Sequence, residues 1–143
     1  MTSVYLDTSV LVAYYVPETF SAQAEAVLLA AADRVVSPLC LSEASAALRA
    51  KVHYGHLSMD HAVAARDRFR AHYDGGYYRV IPLENRHYDQ AFTTVWQLTQ
   101  RLRTLDALHL AVAQMGGYCL ATADERLRDS ALAARLQVTW VGS

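Results

Sequence analysis

Apolar residues recur along this chain in two alternating rhythms, and that alternation limits its possible folds more than any other feature. Short runs of β type fall at residues 4–6, 35–36, 78–81, 118–121 and 138–141. Between them, apolar residues recur at helical spacing. Residues 9–15 predict a short helix closed by Pro17, and Ala24, Val27, Leu28 and Ala31 mark a second over 21–32. Leu41, Ala44, Leu48 and Val52 mark one face of a third helix, entered after Ser37-Pro38 and ended at Gly55. Met59, Ala62, Val63, Phe69 and Tyr73 mark a fourth, closed by Asp74-Gly75-Gly76. Tyr88, Phe92, Val95, Leu98 and Leu102 fit the apolar face of one long helix. Residues 105–113 are apolar nearly all round, the mark of a buried helix, with Gly116-Gly117 as its stop. Residues 125–136 predict the last helix. Strands separated by helices predict an α/β fold: a mostly parallel central sheet of about five strands flanked by helices.

The 143 residues predict a single domain over 1–143, able to bury roughly 70% of the surface its unfolded chain exposes without disulfide or metal staples. A hydrophobic share of 53% excludes intrinsic disorder. No apolar stretch approaches the length of a bilayer span, so no membrane partner is expected. Residues 1–3 carry no basic region or signal-peptide core, so no leader is expected. Cys40 and Cys119 match no metal or redox spacing and read as buried small hydrophobes in a reducing cytoplasm. A net charge of −1 provides no global field for nucleic acid, so any polyanion site must be local. Lys51 is the lone lysine among thirteen basic residues, and the arginines offer planar, bidentate donors suited to phosphate.

Sites in open α/β sheets lie beyond the carboxyl ends of the strands. Asp7 directly follows the first strand, and Asp124 comes just after the fourth, two residues beyond Thr122. Glu43 is placed in the first turn of the helix after Pro38, and Asp106 opens the apolar helix before the fourth strand. Asp7, Glu43 and Asp124 each have an ordinary alternative as a helix cap or first-turn acid. Asp106 does not, because Thr104 is the better cap and an unpaired carboxylate in an apolar segment is costly to desolvate. Carboxylates gathered at one site repel each other unless a hard cation offsets them, and oxygen-only donors select Mg²⁺ or Mn²⁺ over zinc.

Four segments resemble the motifs of PIN-domain ribonucleases: Leu6-Asp7-Thr8-Ser9-Val10-Leu11-Val12; Ser42-Glu43-Ala44 with Ala47-Leu48; Arg103-Thr104-Leu105-Asp106-Ala107-Leu108-His109-Leu110-Ala111; and Leu120-Ala121-Thr122-Ala123-Asp124-Glu125-Arg126-Leu127. They stand in the family's order, and within it the chain is most similar to VapC-type toxins of toxin–antitoxin pairs. The resemblance implies an endoribonuclease using Mg²⁺ or Mn²⁺, with Asp7, Glu43, Asp106 and Asp124 as catalytic metal ligands. Such a cation would hold a water in line with an RNA phosphodiester, leaving a 5′-phosphate and a 3′-hydroxyl. The resemblance also implies a homodimer, and a VapB-type antitoxin that inserts a segment into the groove, often with an arginine near the acids.

Thr8, Ser9 and Thr122 stand beside the acids, where their hydroxyls would orient carboxylates or cap the helices that follow. His109, three residues after Asp106, reads as a packing residue, and the other five histidines as surface or loop. Arg101 and Arg103 are the candidates for holding RNA phosphate, with Arg126 and Arg128 second. Arg66, Arg68 and Arg70 read as surface, and no tyrosine or tryptophan reads as a base-stacking platform. Two other functions stay open. A haloacid-dehalogenase-like phosphatase would use Asp7 as nucleophile, although Ser9 stands where its second acid belongs. A non-catalytic PIN-like module would bind RNA or protein without cutting.

Overall fold

The first apolar cluster becomes the central strand of the sheet. In a computed structural model that describes residues 2–143, β1 (Ser3–Leu6) buries Val4, Tyr5 and Leu6 in succession, as a strand covered on both faces must. Met1, part of the stretch expected to hold no leader, lies outside the described residues. The chain continues through α1 (Thr8–Tyr15), α2 (Ser21–Ala30), β2 (Asp33–Val36), α3 (Pro38–His53), α4 (Met59–Asp74) and β3 (Arg79–Val80). It closes with α5 (Asn85–Gln97), α6 (Thr104–Gly116), β4 (Cys119–Thr122), α7 (Glu125–Ala133) and β5 (Val138–Trp140).

The strands lie in the order β3-β2-β1-β4-β5, and every pairing is parallel. The chain therefore starts in the middle, winds outward through β2 and β3, and returns to build β4 and β5 on the other side. That reversal opens a crevice at the carboxyl ends of β1 and β4, the switch point where such sheets take ligands. Among the described residues, no helix is long and apolar enough to cross a membrane.

Local chemistry sets the element ends. Ser58 caps α4 by accepting from the His61 N–H at 3.1 Å, and Pro38 starts α3, where a missing N–H costs nothing. Gly117 takes the left-handed conformation (φ 67°) that stops α6. Both cysteines are free; Cys40 is buried, as expected, whereas Cys119 is only half-buried.

Several expectations need correction. The long helix through Leu102 ends at Gln97, where Leu98 turns extended. Leu98 and Leu102 still pack on apolar neighbours, but from irregular chain, so the spacing continued beyond the helix. The buried face of α5 is His87, Ala91 and Thr94, while Tyr88, Phe92 and Trp96 are 52%, 74% and 84% exposed. Small side chains explain this: Ala91 meets Ala107 and Ala111 of α6, and close helix approach leaves the aromatic face outside. His87 is buried, not surface, because its Nδ1 accepts the Glu84 N–H at 2.9 Å within a capping box. α2 stops at Ala30, and β3 is only two residues long, although the Ile81 N–H still donates to the Val36 carbonyl at 2.9 Å.

Leu120 in β4 is fully buried beside β1 and β5. Leu120→Ala is expected to cost about 2–5 kcal/mol, read as a lower urea midpoint with an unchanged slope.

Candidate active site

Each acid reaches the crevice from a different element. Asp7 is the N-cap of α1, its Oδ1 accepting the Val10 N–H at 3.2 Å. Asp124 is the N-cap of α7, accepting from the Arg126 and Leu127 N–H groups at 2.9 and 3.3 Å. Capping and site placement are thus compatible, because a helix that starts at a strand's carboxyl end puts its cap residue in the crevice. Asp106 stands in the first turn of α6. Thr104 does not cap that helix as expected; it is the first helical residue and the cap position is Arg103. Glu43 lies one turn deeper into α3 than expected, since the first turn of that helix holds no acid. Asp7, Glu43, Asp106 and Asp124 all line one cleft of about 270 Å³, together with Thr8, Ser9, Arg103 and His109.

Asp7 is the most buried of the four, at 4% exposure. Burial raises its pKa, and hydrogen bonds oppose the rise. Ser9 Oγ donates to Oδ1 at 2.5 Å, and Thr122 Oγ1 donates to Oδ2 at 2.7 Å. The same hydroxyls extend outward. The Ala123 N–H donates to Ser9 Oγ at 2.9 Å, and the Asp124 N–H donates to Thr122 Oγ1 at 3.0 Å. Ser9 and Thr122 therefore tie the end of β1 to the loop after β4.

Thr8 serves a different acid, donating to Glu43 Oε1 at 3.1 Å. His109 Nε2 makes a short contact to the same oxygen. Burial pushes the Glu43 pKa up, but the hydrogen bond and charge of His109, with Thr8 and Arg103, bring it below the usual value. His109 is itself buried, and its Nδ1 lies 2.6 Å from the Tyr5 hydroxyl. A carboxylate only accepts, so Nε2 carries the proton, and in the neutral ring the Tyr5 hydroxyl donates to Nδ1. Ser37 Oγ, 2.8 Å from that hydroxyl, extends the chain into the core. The packing role expected for His109 is thus incomplete: it is packed and also fixes a site carboxylate. Tyr5 has no sequence signal beyond one hydroxyl in an apolar strand.

Burial and the charge of Asp124 raise the Asp106 pKa, and Arg103 opposes them. Arg103, 61% exposed at its side chain, lies 3.5 Å from Asp106 and 3.9 Å from Asp124, too far for good hydrogen bonds. Arg101 is not at the acids; it lines a neighbouring cavity with Gln100, Arg103, Arg126, Asp129 and Ser130. Arg128 pairs with Glu125 and Asp129. Arg66, Arg68 and Arg70 are exposed, as expected.

The donor chemistry of the cleft fits a hard divalent cation: four carboxylates, with raised pKa values at Asp7 and Asp106. As they stand, no three His, Cys, Asp or Glu side chains among the described residues are close enough to grip an ion. Arg103 is the positive group lying between Asp106 and Asp124.

The chain belongs to the PIN domain family, whose model matches residues 4–132, a span holding all four acids. No curated protein sequence matches the chain. Among solved structures it is similar to VapC20 of Mycobacterium tuberculosis, a sarcin-ricin loop cleaving toxin, at 20% identity and a TM-score of 0.72 over 90% of this chain and 95% of that one. It is also similar to a chain of a toxin–antitoxin complex from Klebsiella pneumoniae, at 16% identity and a TM-score of 0.67 over 99% of each. A third likeness is to a chain of VapBC2 from Rickettsia felis, bound to a DNA fragment from its promoter: 14% identity and a TM-score of 0.66, covering 97% of this chain and 98% of that one. At such identities the likeness is one of fold.

Two stability measurements probe the site. Asn caps a helix as well as Asp, so Asp7→Asn keeps the α1 cap and removes a buried charge. Because the folded pKa of Asp7 is raised, its ionisation disfavours folding once pH exceeds the unfolded value. In metal-free buffer the stability of Asp7→Asn relative to wild type is expected to rise as pH increases above the unfolded value, read from denaturant unfolding across a pH series. Tyr5→Phe leaves His109 Nδ1 buried without a partner and is expected to cost about 1–3 kcal/mol in denaturant unfolding.

Proposed function

We propose that this chain is a metal-dependent endoribonuclease that acts as the toxin of a VapBC-type pair. The observation that carries the reading is the convergence of Asp7, Glu43, Asp106 and Asp124, from residues 7 to 124, on one cleft at the sheet's switch point. Asp7 and Asp124 reach the crevice as helix caps, but Glu43 and Asp106 cap nothing, and the repulsion among four gathered acids is what a bound cation would offset.

In this reading the four carboxylates hold Mg²⁺ or Mn²⁺. When bound, the cation offsets their repulsion, lowers the pKa of water and stabilises charge on a phosphodiester undergoing in-line displacement. The rest is work for the chain's own side chains. Ser9 and Thr122 fix the plane of the Asp7 carboxylate, and Thr8 and His109 hold Glu43 by Oε1, leaving Oε2 for the cation. Preorganisation of this kind removes the cost of orienting ligands during reaction. Arg103 sits loosely on the rim, where it is free to leave the acids and take a non-bridging phosphate oxygen. Products bear a 5′-phosphate and a 3′-hydroxyl.

The phosphatase alternative is disfavoured at Ser9. Where that reading needs a second acid two residues on, Ser9 stands instead and spends its hydroxyl on Asp7 Oδ1. The partners in this reading are RNA, a VapB-type antitoxin that fills the cleft, and a second copy of the chain, with the cytoplasm as the setting. The toxin–antitoxin and VapBC complexes among its structural neighbours support the antitoxin partner.

The test is cleavage of total RNA by purified protein in Mg²⁺ or Mn²⁺, with and without EDTA. EDTA is expected to abolish cleavage, and Asp106→Asn to lower it by about a hundredfold or more. Full activity of Asp106→Asn, or RNA binding without any cutting by wild type, overturns the nuclease reading; the second outcome returns the module to a binder.

A further inference from the structure

The acid cleft has a neighbour of opposite character. Its cavity, about 530 Å³ against about 270 Å³ for the cleft, is walled by Arg101 and Arg103 from the α5–α6 loop and by Arg126 from the first turn of α7. The two spaces share Arg103 as a common wall.

The charges there are not balanced within the chain. Among the described residues, Asp129 is the one acid in the lining, and Arg128 already holds it at 3.0 Å. Among those same described residues, neither Arg101 nor Arg126 has a carboxylate within 4.0 Å, unlike Arg66, Arg70, Arg79, Arg86 and Arg128. Arg103 reaches its two acids only at 3.5 and 3.9 Å. Three guanidinium groups with weak or absent partners therefore surround one open space beside a site built for a phosphodiester. Guanidinium donors match the paired oxygens of a phosphate, and in a protein of net charge −1 this concentration of positive charge is local.

We propose that this cavity is a second phosphate subsite, formed by Arg101, Arg126 and the shared Arg103, which holds a backbone phosphate of the RNA strand next to the one at the acids. The inference rests on the nuclease reading and adds a direction to it. The substrate strand runs from the acid cleft, over Arg103, towards α7. An acidic protein segment is the competing occupant; RNA is favoured because the cavity continues the groove in which the scissile phosphate would lie.

The experiment measures the affinity of labelled single-stranded oligoribonucleotides, from dinucleotide to octamer, by fluorescence anisotropy in Mg²⁺, with every protein carrying Asp106→Asn so that bound strands are not cut. Apart from that change the proteins are wild type, Arg101→Gln/Arg126→Gln and, as a charge control, Arg49→Gln, whose side chain borders a different groove between α3 and α4. The otherwise wild-type protein is expected to tighten with length. The double variant is expected to keep dinucleotide affinity and to bind the octamer about tenfold or more weakly. Its salt slope is expected to be shallower by about 0.7 for each phosphate it no longer neutralises. Equal weakening at every length, no weakening, or a loss matched by Arg49→Gln overturns the subsite. So does unchanged RNA affinity with lost binding of a polyglutamate peptide, which assigns the cavity to an acidic partner. If wild type cuts RNA and the variants show no length effect, only the subsite fails. If wild type neither binds nor cuts RNA, the nuclease reading fails with it.

Discussion

A carboxylate buried at the end of the central strand is the constraint on which the rest of the structure depends. Taking Asp7 out of water costs free energy, and the fold offsets that cost with donors from both sides of the switch point. Ser9 and the Val10 N–H come from the helix that Asp7 caps, and Thr122 comes from the adjacent strand. The hydrogen bonds that keep the carboxylate tolerable also lock β1 to the loop after β4, so site and sheet are held by the same few atoms. Glu43 repeats the arrangement more loosely, with Thr8 on one side and the His109–Tyr5 chain on the other.

The remaining charge in the cleft is settled less completely. The charge of Asp124 makes Asp106 costlier to ionise, and the nearest cation, Arg103, is exposed and beyond good hydrogen-bond range. The PIN domain scaffold thus combines a rigid inner half, where hydrogen bonds orient both oxygens of Asp7 and leave a lone pair of Oδ2 open, with an outer half whose charges await a better partner. Such a division suits a site that must admit a polymer and then hold it in register.

Much of this was legible in the sequence. Alternating rhythms are a direct consequence of a parallel sheet covered on both faces, so the strand–helix order emerged without long-range information. The positions of Asp7 and Asp124 followed from strand ends, and Asp106 stood out because desolvation makes a lone acid in an apolar run conspicuous. What was hidden required knowledge of neighbours. The buried face of α5 departs from the expected one because Ala91 against Ala107 and Ala111 draws two helices together and leaves Phe92 and Trp96 outside, although large aromatics normally face inward. The apolar spacing ran on to Leu102 because burial, not helicity, sets it. His109 gave no sign of touching Glu43, since the contact joins two helices distant in sequence, and the separation of Arg101 from the acids was fixed by a loop that periodicity does not describe.

The strand order also has a temporal side. β1 is made long before β4, one of its two neighbours in the sheet. Until that late segment arrives, Asp7 has no Thr122 beside it and the crevice lacks one wall. A nascent polypeptide with three of its four acids already made is therefore still unassembled, and the crevice closes only once β4 has been made.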